Sequence, residues 1–290
     1  MIIQNMKFDI VVVSHASLDL YLDKLYLGGP VSYCGRLLDE LGANYLVVGM
    51  VGKEFPFKDY YKKRIKSNIL VESTATTSFV MEHIKGIRHI KISAKAEPFD
   101  IAKIPKEAIK ARYILLSPII DDMPIEFIKR LSKRTNAKLC IDPFNNDNGK
   151  FSKMQKIYFL EVANYVEIIK LSQNELVGLS GFKDLNEAIT NYLSKFNNIF
   201  IITLGKNGAR IYKKNEINKT VRGIDLCPFV DATGCGDIFF AGFIYGLSKE
   251  YQLEECVLFG NICAGLSVSS KGVDSIPKKE DIIKMYNSLK

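Results

Sequence analysis

The residue types best suited to chemistry are concentrated in one short segment, Asp231-Ala-Thr-Gly-Cys-Gly-Asp237, which directly precedes the apolar residues 238–245. An apolar stretch of that kind is typical of a buried helix, so a glycine-containing loop leads into a helix N-terminus. Such a terminus carries unpaired N–H groups and a partial positive charge, which suit phosphate oxygens and the charge that develops during phosphoryl transfer. Gly234 and Gly236 let the backbone approach an anion closely. The segment therefore predicts an anion-binding loop.

Asp237 ends this segment, at the mouth of the predicted helix. There its carboxylate could accept the proton of an attacking hydroxyl beside the anion site, which is the arrangement that a kinase needs. The alternative is that Asp237 only caps the helix, as Asp often does. Because two aspartates, a threonine and two glycines fall within seven residues, the catalytic interpretation is favoured. A nucleophilic role for Cys235 is disfavoured, since no histidine lies nearby in the sequence to increase its thiolate fraction.

Strand-like and helix-like patterns alternate up to residue 202. Short apolar runs predict buried strands at residues 10–13, 45–48, 113–116, 138–141, 166–169 and 199–202. Helical patterns lie between several of these runs, at residues 31–41, 124–135 and 185–196. Alternation of this kind builds a mostly parallel sheet with helices on both faces, so the predicted fold class is α/β.

The pattern changes after residue 202. A hairpin is predicted at residues 209–212 and 219–222, followed by long helices at 234–247 and 253–270. In open α/β sheets ligands lie beyond the carboxyl ends of the strands, so loops that follow strands are the preferred places for a site. Because no linker rich in Pro, Gly or Ser divides the chain, we expect residues 1–290 to form a single domain.

Charge and hydropathy argue against nucleic-acid and membrane partners. The net charge of +8 is spread over separate clusters and accompanies no nucleic-acid-binding motif, so no nucleic-acid partner is predicted. The longest apolar run, residues 238–247, is far below the roughly 20 residues that span a bilayer. The six cysteines form no CxxC pair, and the few residues before the first strand leave no room for a signal peptide. A cytoplasmic protein with reduced thiols is therefore predicted.

The loop at 231–237 resembles the second signature of the ribokinase/PfkB carbohydrate kinase family, Asp-Thr-x-Gly-Ala-Gly-Asp. Ala232 replaces the usual Thr and Cys235 the usual Ala, and both changes are small in volume. The resemblance implies that Asp237 is the catalytic base and that the backbone of residues 234–237 forms the anion hole. It also implies a ribokinase-like fold with a β-strand lid, and a magnesium-dependent kinase that transfers the γ-phosphoryl group of ATP.

The resemblance extends toward the N-terminus. Gly28-Gly29-Pro30, before a predicted helix, is similar to the family's first signature, although Tyr33 stands where the family usually has Asn. The resemblance implies that the backbone of Gly28 and Gly29 and the carboxylate of Asp19 bind the hydroxyls of the acceptor. A carboxylate just after a buried strand also suits a polyol on general grounds.

The nucleotide side of the resemblance lies in the C-terminal third of the chain. Thr203-Leu-Gly205-Lys-Asn-Gly208 follows a predicted strand and resembles the family's Thr-x-Gly-x-x-Gly segment. The resemblance implies that Thr203, Gly205 and Gly208 hold the phosphates and ribose of the nucleotide, with Gly234 of the anion hole beside them. Asn261 lies in a segment similar to the family's adenine-side helix.

The segment that corresponds to the family's metal-positioning motif, residues 172–175, departs from the family pattern. Relatives carry Asn-x-x-Glu at the end of a strand and position magnesium through water with the Glu. Here Glu175 is kept, but Ser172 takes the place of the Asn. Magnesium keeps most of its waters and needs few carboxylates, so Glu175 alone could suffice. The alternative is that Glu175 is a solvent-facing helix residue.

Two short lid elements are predicted, near residues 18–28 and 77–92. Only eight residues separate Asp19 from Gly28, so we expect a minimal lid, completed by a hairpin of 77–81 with 86–92. A small lid excludes little water, so the cover must come from that hairpin, a partner subunit in a homodimer, or the acceptor itself. A compact ring loses little entropy on binding, which favours a closed sugar or an inositol-like cyclitol.

Other acceptors and other classes of protein stay open. Residues 92–99 resemble the inositol-type branch of the family, and a nucleoside kinase is the alternative on the same fold. A non-catalytic sugar-binding protein would be expected to lack the base or a loop glycine, yet Asp237, Gly234 and Gly236 are all present. A nucleic-acid-binding protein would explain the charge. The sequence alone does not separate these acceptors, nor ATP from other nucleotide donors.

We predict that Glu175→Gln raises the magnesium concentration needed for half-maximal turnover, because a neutral amide attracts the hydrated cation less than a carboxylate does. A magnesium titration of turnover at saturating ATP measures the effect. A titration curve identical to that of the wild-type protein would remove Glu175 from the metal site.

Overall fold

The computed structural model describes residues 7–84, 87–144, 149–224 and 229–290. Within these ranges, nine strands form a central sheet in the order β13-β12-β11-β10-β9-β8-β1-β4-β5. These strands are β1 (Phe8–His15), β4 (Tyr45–Val51), β5 (Asn68–Glu72), β8 (Ala111–Leu116), β9 (Lys138–Ile141), β10 (Ile168–Ser172), β11 (Ile199–Thr203), β12 (Ala209–Lys213) and β13 (Ile217–Val221). Neighbouring strands from β11 to β5 are parallel, whereas β12 is antiparallel to both of its neighbours.

Helices cover both faces of this sheet. They are α1 (Pro30–Leu41), α2 (Lys58–Arg64), α3 (Ile125–Ser132), α4 (Lys153–Val162), α5 (Gln173–Ser180), α6 (Leu185–Glu187), α7 (Cys235–Ser248), α8 (Leu253–Ser267) and α9 (Lys279–Leu289). Ile10 and Val12 of β1 belong to the core formed with α1, α7 and α8, whereas Val11 and Val13 belong to the core formed with α3, α4 and α5. Because successive side chains of a strand point to opposite faces, an uninterrupted apolar run serves both cores.

α7 lies inside the first of these cores. Its residues Ile238, Phe239, Phe240, Ala241, Phe243 and Ile244 are each at most 3% exposed. The helix packs against α1 and α8, and a helix that is apolar on all sides is held in place by burial. Its N-terminus, where the chemistry is expected, is thus attached to a fixed element.

The predicted α/β fold class is confirmed. Five of the six predicted strands lie within strands of the central sheet, and the predicted hairpin forms β12 and β13. The sixth, predicted at 166–169, overlaps β10 only from Ile168 onward. The predicted helix at 185–196 is wrong as one regular helix, because α6 is followed by a wide turn over Ala188–Tyr192 and a tight turn over Leu193–Lys195. Ala188, Ile189 and Leu193 of these turns are all fully buried. The prediction of one domain stays a prediction.

The lid is a second sheet with four strands in the order β3-β2-β6-β7. These are β2 (Ser17–Tyr21), β3 (Lys24–Gly28), β6 (Thr77–Ile84) and β7 (Ile87–Ala94). Parallel pairing of β2 with β6 joins the two predicted lid elements into one sheet, so the lid is broader than the segment between Asp19 and Gly28 indicates. β6 runs on to Ile84, past the predicted end at 81, so the predicted turn at 82–85 is wrong for residues 82–84; residues 85 and 86 lie outside the described residues.

The helices of the described ranges are all too short or too polar to cross a membrane.

Candidate active site

Several candidate residues meet at the carboxyl edge of the central sheet. Asp142 follows β9, Lys170 lies in β10 two residues before its end, and Thr203 ends β11. The register pairs Ser172 of β10 with Thr203 of β11. α7 begins at the same edge, since Gly236 in its first turn lies beside Lys170. The predicted base, metal and nucleotide residues are therefore neighbours, as expected for a site beyond the ends of parallel strands.

The loop before α7 is shaped by its own side chains. Asp231 accepts hydrogen bonds from the Thr233 N–H at 3.0 Å and from the Thr233 hydroxyl at 2.8 Å. The Val230 N–H donates to the Val268 carbonyl at 2.8 Å, which attaches the loop to the end of α8. Aspartate bonding to the backbone two residues ahead is a standard turn, so this part of the motif is structural.

Gly234 is the residue that turns this loop into the helix. Its φ of 78° lies in the left-handed region, and a Cβ atom built on it would lie 2.5 Å from carbons of the Tyr33 ring. Glycine is required here for both reasons. Tyr33, which takes the place of the family's Asn, is thereby packed directly against the anion loop.

The N-terminus of α7 is free for a ligand. No side chain of the described residues caps it, and Asp237, the third residue of the helix, accepts no bond from its first turn. The capping alternative for Asp237 is therefore wrong. Uncapped N–H groups at a helix N-terminus bind anions, which agrees with the role expected for the backbone of Gly234 and Gly236. The Cys235 N–H, in contrast, donates to the Ala232 carbonyl at 3.1 Å.

Asp237 is a partly buried carboxyl group with a neutral-range pKa. Burial raises the pKa of Asp237 to about 7, and the charge of Asp142 raises it further, while Lys170 lowers it. A general base works best when its pKa lies near the working pH. Asp237 therefore has the proton affinity needed to take a proton from an alcohol near neutral pH.

Lys170 and Asp142 form a buried ion pair beside this base. Both residues are 6% exposed, and the Lys170 ammonium donates a short hydrogen bond to the Asp142 carboxylate. Burial by itself would lower the pKa of Lys170, but Asp142, Glu175 and Asp237 raise it overall, so the lysine stays charged. Sequence reasoning missed Lys170; the available signal was a lysine inside the otherwise apolar strand Ile168–Ser172.

Glu175 is buried in the first turn of α5. It is 3% exposed, so the solvent-facing alternative is wrong. Its Oε2 accepts from the Ser172 N–H at 2.7 Å, and the Ser172 hydroxyl accepts from the Glu175 N–H at 3.2 Å. This reciprocal capping box explains how Ser172 can replace Asn, since both residue types cap helices well.

The carboxylates at this edge suit a hydrated magnesium ion better than a directly bound one. Glu175, Asp142 and Asp237 all act on the charge of Lys170, yet the described residues contain no group of three His, Cys, Asp or Glu that could hold a metal. Magnesium commonly keeps several waters and is held by one or two carboxylates plus phosphate oxygens. The donor set fits that mode.

The acceptor-side residues lie where the lid meets α1. Asp19 is 8% exposed and its Oδ1 accepts from the Ser17 hydroxyl at 2.8 Å. A Cβ atom on Gly28 would lie 2.4 Å from Asp19 Oδ2, and a Cβ atom on Gly29, at φ 84°, would lie 2.6 Å from the His15 carbonyl oxygen. The paired glycines thus let the lid carboxylate sit against the start of α1.

Tyr33 is close to both Asp19 and Asp237. Burial raises the pKa of the Tyr33 hydroxyl, and Asp19, Asp237 and Asp231 raise it further, so charges from the lid and from the anion loop both act on one ring. Tyr33 is 3% exposed. Sequence reasoning noted this tyrosine only as a departure from the family pattern, whereas the fold places it between the two candidate binding regions.

The nucleotide-side residues form a turn after β11. The Leu204 N–H donates to the Gly208 carbonyl at 2.7 Å, and Gly205 and Gly208 both have positive φ. A Cβ atom on Gly208 would lie 2.1 Å from the Val221 carbonyl oxygen, so this glycine is also a packing requirement. The exposed Gly205 leaves the turn open to a ligand.

Asn261 has a structural task in α8. Its amide nitrogen donates to the carbonyls of Val221 at 3.2 Å and Arg222 at 3.0 Å, so it holds the end of β13 against the helix. Asn261 is 6% exposed. Its predicted contact with the nucleotide stays a prediction.

The cysteines fit the reduced state expected from the sequence. Within the described ranges the five cysteines are free thiols, and all but Cys235 are buried; Cys227 lies outside these ranges. Burial raises the pKa of Cys235, which keeps its thiol protonated and argues further against a nucleophilic role.

Comparison with known protein families identifies the family of this chain. Residues 35–280 match the model of the pfkB family of carbohydrate kinases. The chain belongs to that family. Members of the pfkB family phosphorylate a hydroxyl group of a sugar or a nucleoside, so the chain is a phosphotransferase with an alcohol acceptor.

Relatives of the pfkB family match over nearly the whole chain. The cytidine kinase of Thermococcus kodakarensis is 26% identical over 265 residues, which cover 87% of this chain and 93% of that protein. The nucleoside kinase structure of Methanocaldococcus jannaschii has a TM-score of 0.75 at 21% identity and covers 98% of this chain and 99% of its own. Arabidopsis thaliana ribokinase, complexed with ribose and ATP, has a TM-score of 0.77 at 20% identity. The match covers 97% of this chain and 99% of the ribokinase chain. These structures confirm the ribokinase-like fold.

We predict that Asp237→Asn lowers turnover roughly 10²- to 10⁴-fold, the usual contribution of a general base. In the wild-type protein, kcat/KM should fall as the pH drops below the Asp237 pKa of about 7, because protonation removes the base. Retention of near-normal turnover by Asp237→Asn would exclude this role. Asp59→Asn, which changes a highly exposed carboxylate on α2, is the matched control.

Asp237→Asn should also change the free energy of unfolding, in a direction that follows from the raised pKa of Asp237. Asp237 binds its proton more tightly in the folded protein than in the unfolded chain. The stability that this tighter proton binding contributes is fully present below about pH 4 and is lost as the pH rises through about 7. Asp237→Asn should therefore gain stability relative to the wild-type protein between these pH values. Thermal unfolding at pH 5 and pH 8 measures this gain.

Proposed function

We propose that this protein transfers the γ-phosphoryl group of ATP to a hydroxyl of a small cyclic polyol, with Asp237 as general base. The observation that carries the proposal is the Asp237 carboxyl, with its pKa of about 7, in the first turn of a helix that no described side chain caps. A base and an anion site next to each other are what phosphoryl transfer to an alcohol requires.

The donor nucleotide is placed by the residues around the sheet edge. The N–H groups at the start of α7 bind the transferring phosphate, and the turn with Gly205 and Gly208 holds the rest of the nucleotide. Magnesium, when bound, neutralises phosphate charge, and Glu175 is the residue that would hold it through water. The ribokinase relative complexed with ribose and ATP supports ATP as the donor.

The acceptor is held between the lid and α1. Asp19 accepts hydrogen bonds from hydroxyls of the acceptor, and Gly28 and Gly29 bring the backbone close to the same ring. Tyr33 lies under the influence of both Asp19 and Asp237, so it borders the space between the acceptor ring and the base. A closed ring suits this site because its hydroxyls are already fixed in direction.

A nucleoside is the second candidate acceptor, and the lid favours it. Asp19 pairs with Tyr26 on β3 and Phe79 on β6, and Phe79 pairs with Ile92 on β7. Residues directly opposite on neighbouring strands lie on the same face. Tyr26 and Phe79 are partly exposed and Ile92 is 48% exposed. A polyol without a base gains little binding free energy from contact with this apolar face, whereas a nucleobase could be buried against it.

The acceptor class is tested by an ADP-release screen with ATP and magnesium over ribose, fructose, myo-inositol, cytidine and adenosine. Ribose and cytidine form a matched pair, because they differ by the base that the lid would cover. Phosphorylation of a member of this set identifies the acceptor class. Release that no acceptor stimulates above the rate of ATP hydrolysis would contradict the proposal.

We predict that Asp19→Ala raises the acceptor KM by roughly 10²-fold, since a charged hydrogen-bond partner is lost, and leaves the KM for ATP within about twofold. Steady-state kinetics with each substrate varied in turn measure both values. If Asp19→Ala instead raises the KM for ATP and leaves the acceptor KM unchanged, the proposed positions of the acceptor site and the nucleotide site are wrong. Asp59→Ala is the control.

We further predict that Phe79→Ala raises KM roughly tenfold for a nucleoside and leaves KM for a bare sugar within about twofold, because only the base contacts this ring. Val80→Ala changes the next residue of β6, whose side chain points to the opposite face, and serves as control. Equal effects of Phe79→Ala on both acceptors would argue against the nucleoside interpretation of the lid.

A further inference from the structure

The ion pair of Lys170 and Asp142 lies beside Gly236, in the first turn of α7. A Cβ atom built on Gly236 would lie 3.1 Å from Lys170 Nζ, so the ammonium adjoins the backbone of the predicted anion hole. The same ammonium donates to Asp142, and both residues are 6% exposed. A cation and the N-terminus of α7 thus come together at one point of the sheet edge.

We propose that Lys170 is a catalytic residue that donates to the phosphoryl group during transfer, and that Asp142 is a positioning residue that holds the ammonium there. The proposal rests on the proposed phosphoryl transfer at Asp237. An ammonium has three N–H donors, so a bond to Asp142 leaves it able to bind a phosphate oxygen as well.

Stability alone does not account for a charged pair at this position. Taking a lysine and a carboxylate out of water is costly, and replacing a buried ion pair by apolar residues of similar size often leaves a protein equally stable or more stable. Residues 168, 169 and 171 of the same strand are apolar and at most 2% exposed. A cation held in this apolar strand next to an anion-binding helix end is explained by a need for positive charge.

The contribution of Lys170 can be written as a balanced step. The acceptor oxygen loses its proton to Asp237 and forms a bond to the γ-phosphorus, while the bond from that phosphorus to the bridging oxygen breaks. The electron pair of the broken bond leaves with ADP. Lys170 keeps its proton throughout and donates a hydrogen bond to an oxygen of the phosphoryl group, whose charge it stabilises in a site of low dielectric.

Asp142 fixes the position of the Lys170 ammonium. A lysine side chain is long and flexible, and a carboxylate partner at the end of the neighbouring strand β9 fixes its end group beside Gly236. Lys138, also on β9, offers a contrast. It pairs with Glu167 at 3.1 Å, is 53% exposed at its side chain and stands at the end of β9 opposite to Asp142. That pair has the geometry of a surface ion pair only.

The test compares Lys170→Met, the double variant Lys170→Met with Asp142→Asn, and the control Lys138→Met. The single variant leaves the Asp142 carboxylate buried without its cation, so its unfolding temperature should fall. The double variant removes both charges and should recover most of that loss. Its kcat should nevertheless stay about 10²-fold or more below wild type, the usual effect of losing one donor to developing charge. Its acceptor KM should stay within about threefold.

The outcomes separate a catalytic from a structural role. If the double variant regains both stability and a kcat within about tenfold of wild type, the pair is structural and the proposal fails. A double variant that does not fold would also overturn it, since the pair would then be needed for folding. Lys138→Met should keep wild-type kcat.

Failure of this proposal is distinguishable from failure of the proposed function. If the wild-type protein phosphorylates an acceptor and Asp237→Asn does not, the function holds whatever the Lys170 variants do. If the wild-type protein phosphorylates none of the acceptors in the screen, the function itself is wrong.

Discussion

The contact on which the site depends is the close approach of Gly236, in the first turn of α7, to the Lys170 ammonium of β10. It brings Asp237 next to the buried Lys170 and Asp142, where the low dielectric strengthens each charge interaction. Burial and Asp142 raise the proton affinity of Asp237, and Lys170 limits that rise. The result is a carboxyl that can exist in either protonation state near neutral pH, beside a helix end suited to an anion.

A second constraint is the close approach of the lid to the body of the protein. Gly28, Gly29 and Gly234 all stand where a Cβ atom would collide with a neighbour, respectively Asp19, the His15 backbone and the Tyr33 ring. These glycines therefore bring the Asp19 carboxylate, the start of α1 and the loop before α7 together. Tyr33 connects them, because the charges of both Asp19 and Asp237 act on its hydroxyl. The residues proposed for acceptor binding and for phosphoryl transfer lie close together for this reason.

Much of the fold could be predicted because the signals are local. Buried parallel strands need uninterrupted apolar runs to serve two cores, and such runs, as at residues 10–13 and 199–202, stand out in the sequence. The edge strand Asn68–Glu72 was missed, since it is only half buried and carries a weaker pattern. The wide turn at Ala188–Tyr192 was missed as well, because its apolar spacing looks like that of a regular helix.

By itself the sequence determined the strand and helix alternation and the glycine-containing loop before an apolar helix, and it predicted Asp237 as the base, since each depends on residues close together in the chain. Tertiary structure alone decided what surrounds that base. Lys170 and Asp142 are 28 residues apart and meet only because β9 and β10 are adjacent. The pairing of β2 with β6 similarly joins distant segments into one lid and places Phe79 on the face of Asp19. Charge and shape in a site depend on distances in space, which spacing along a chain does not specify.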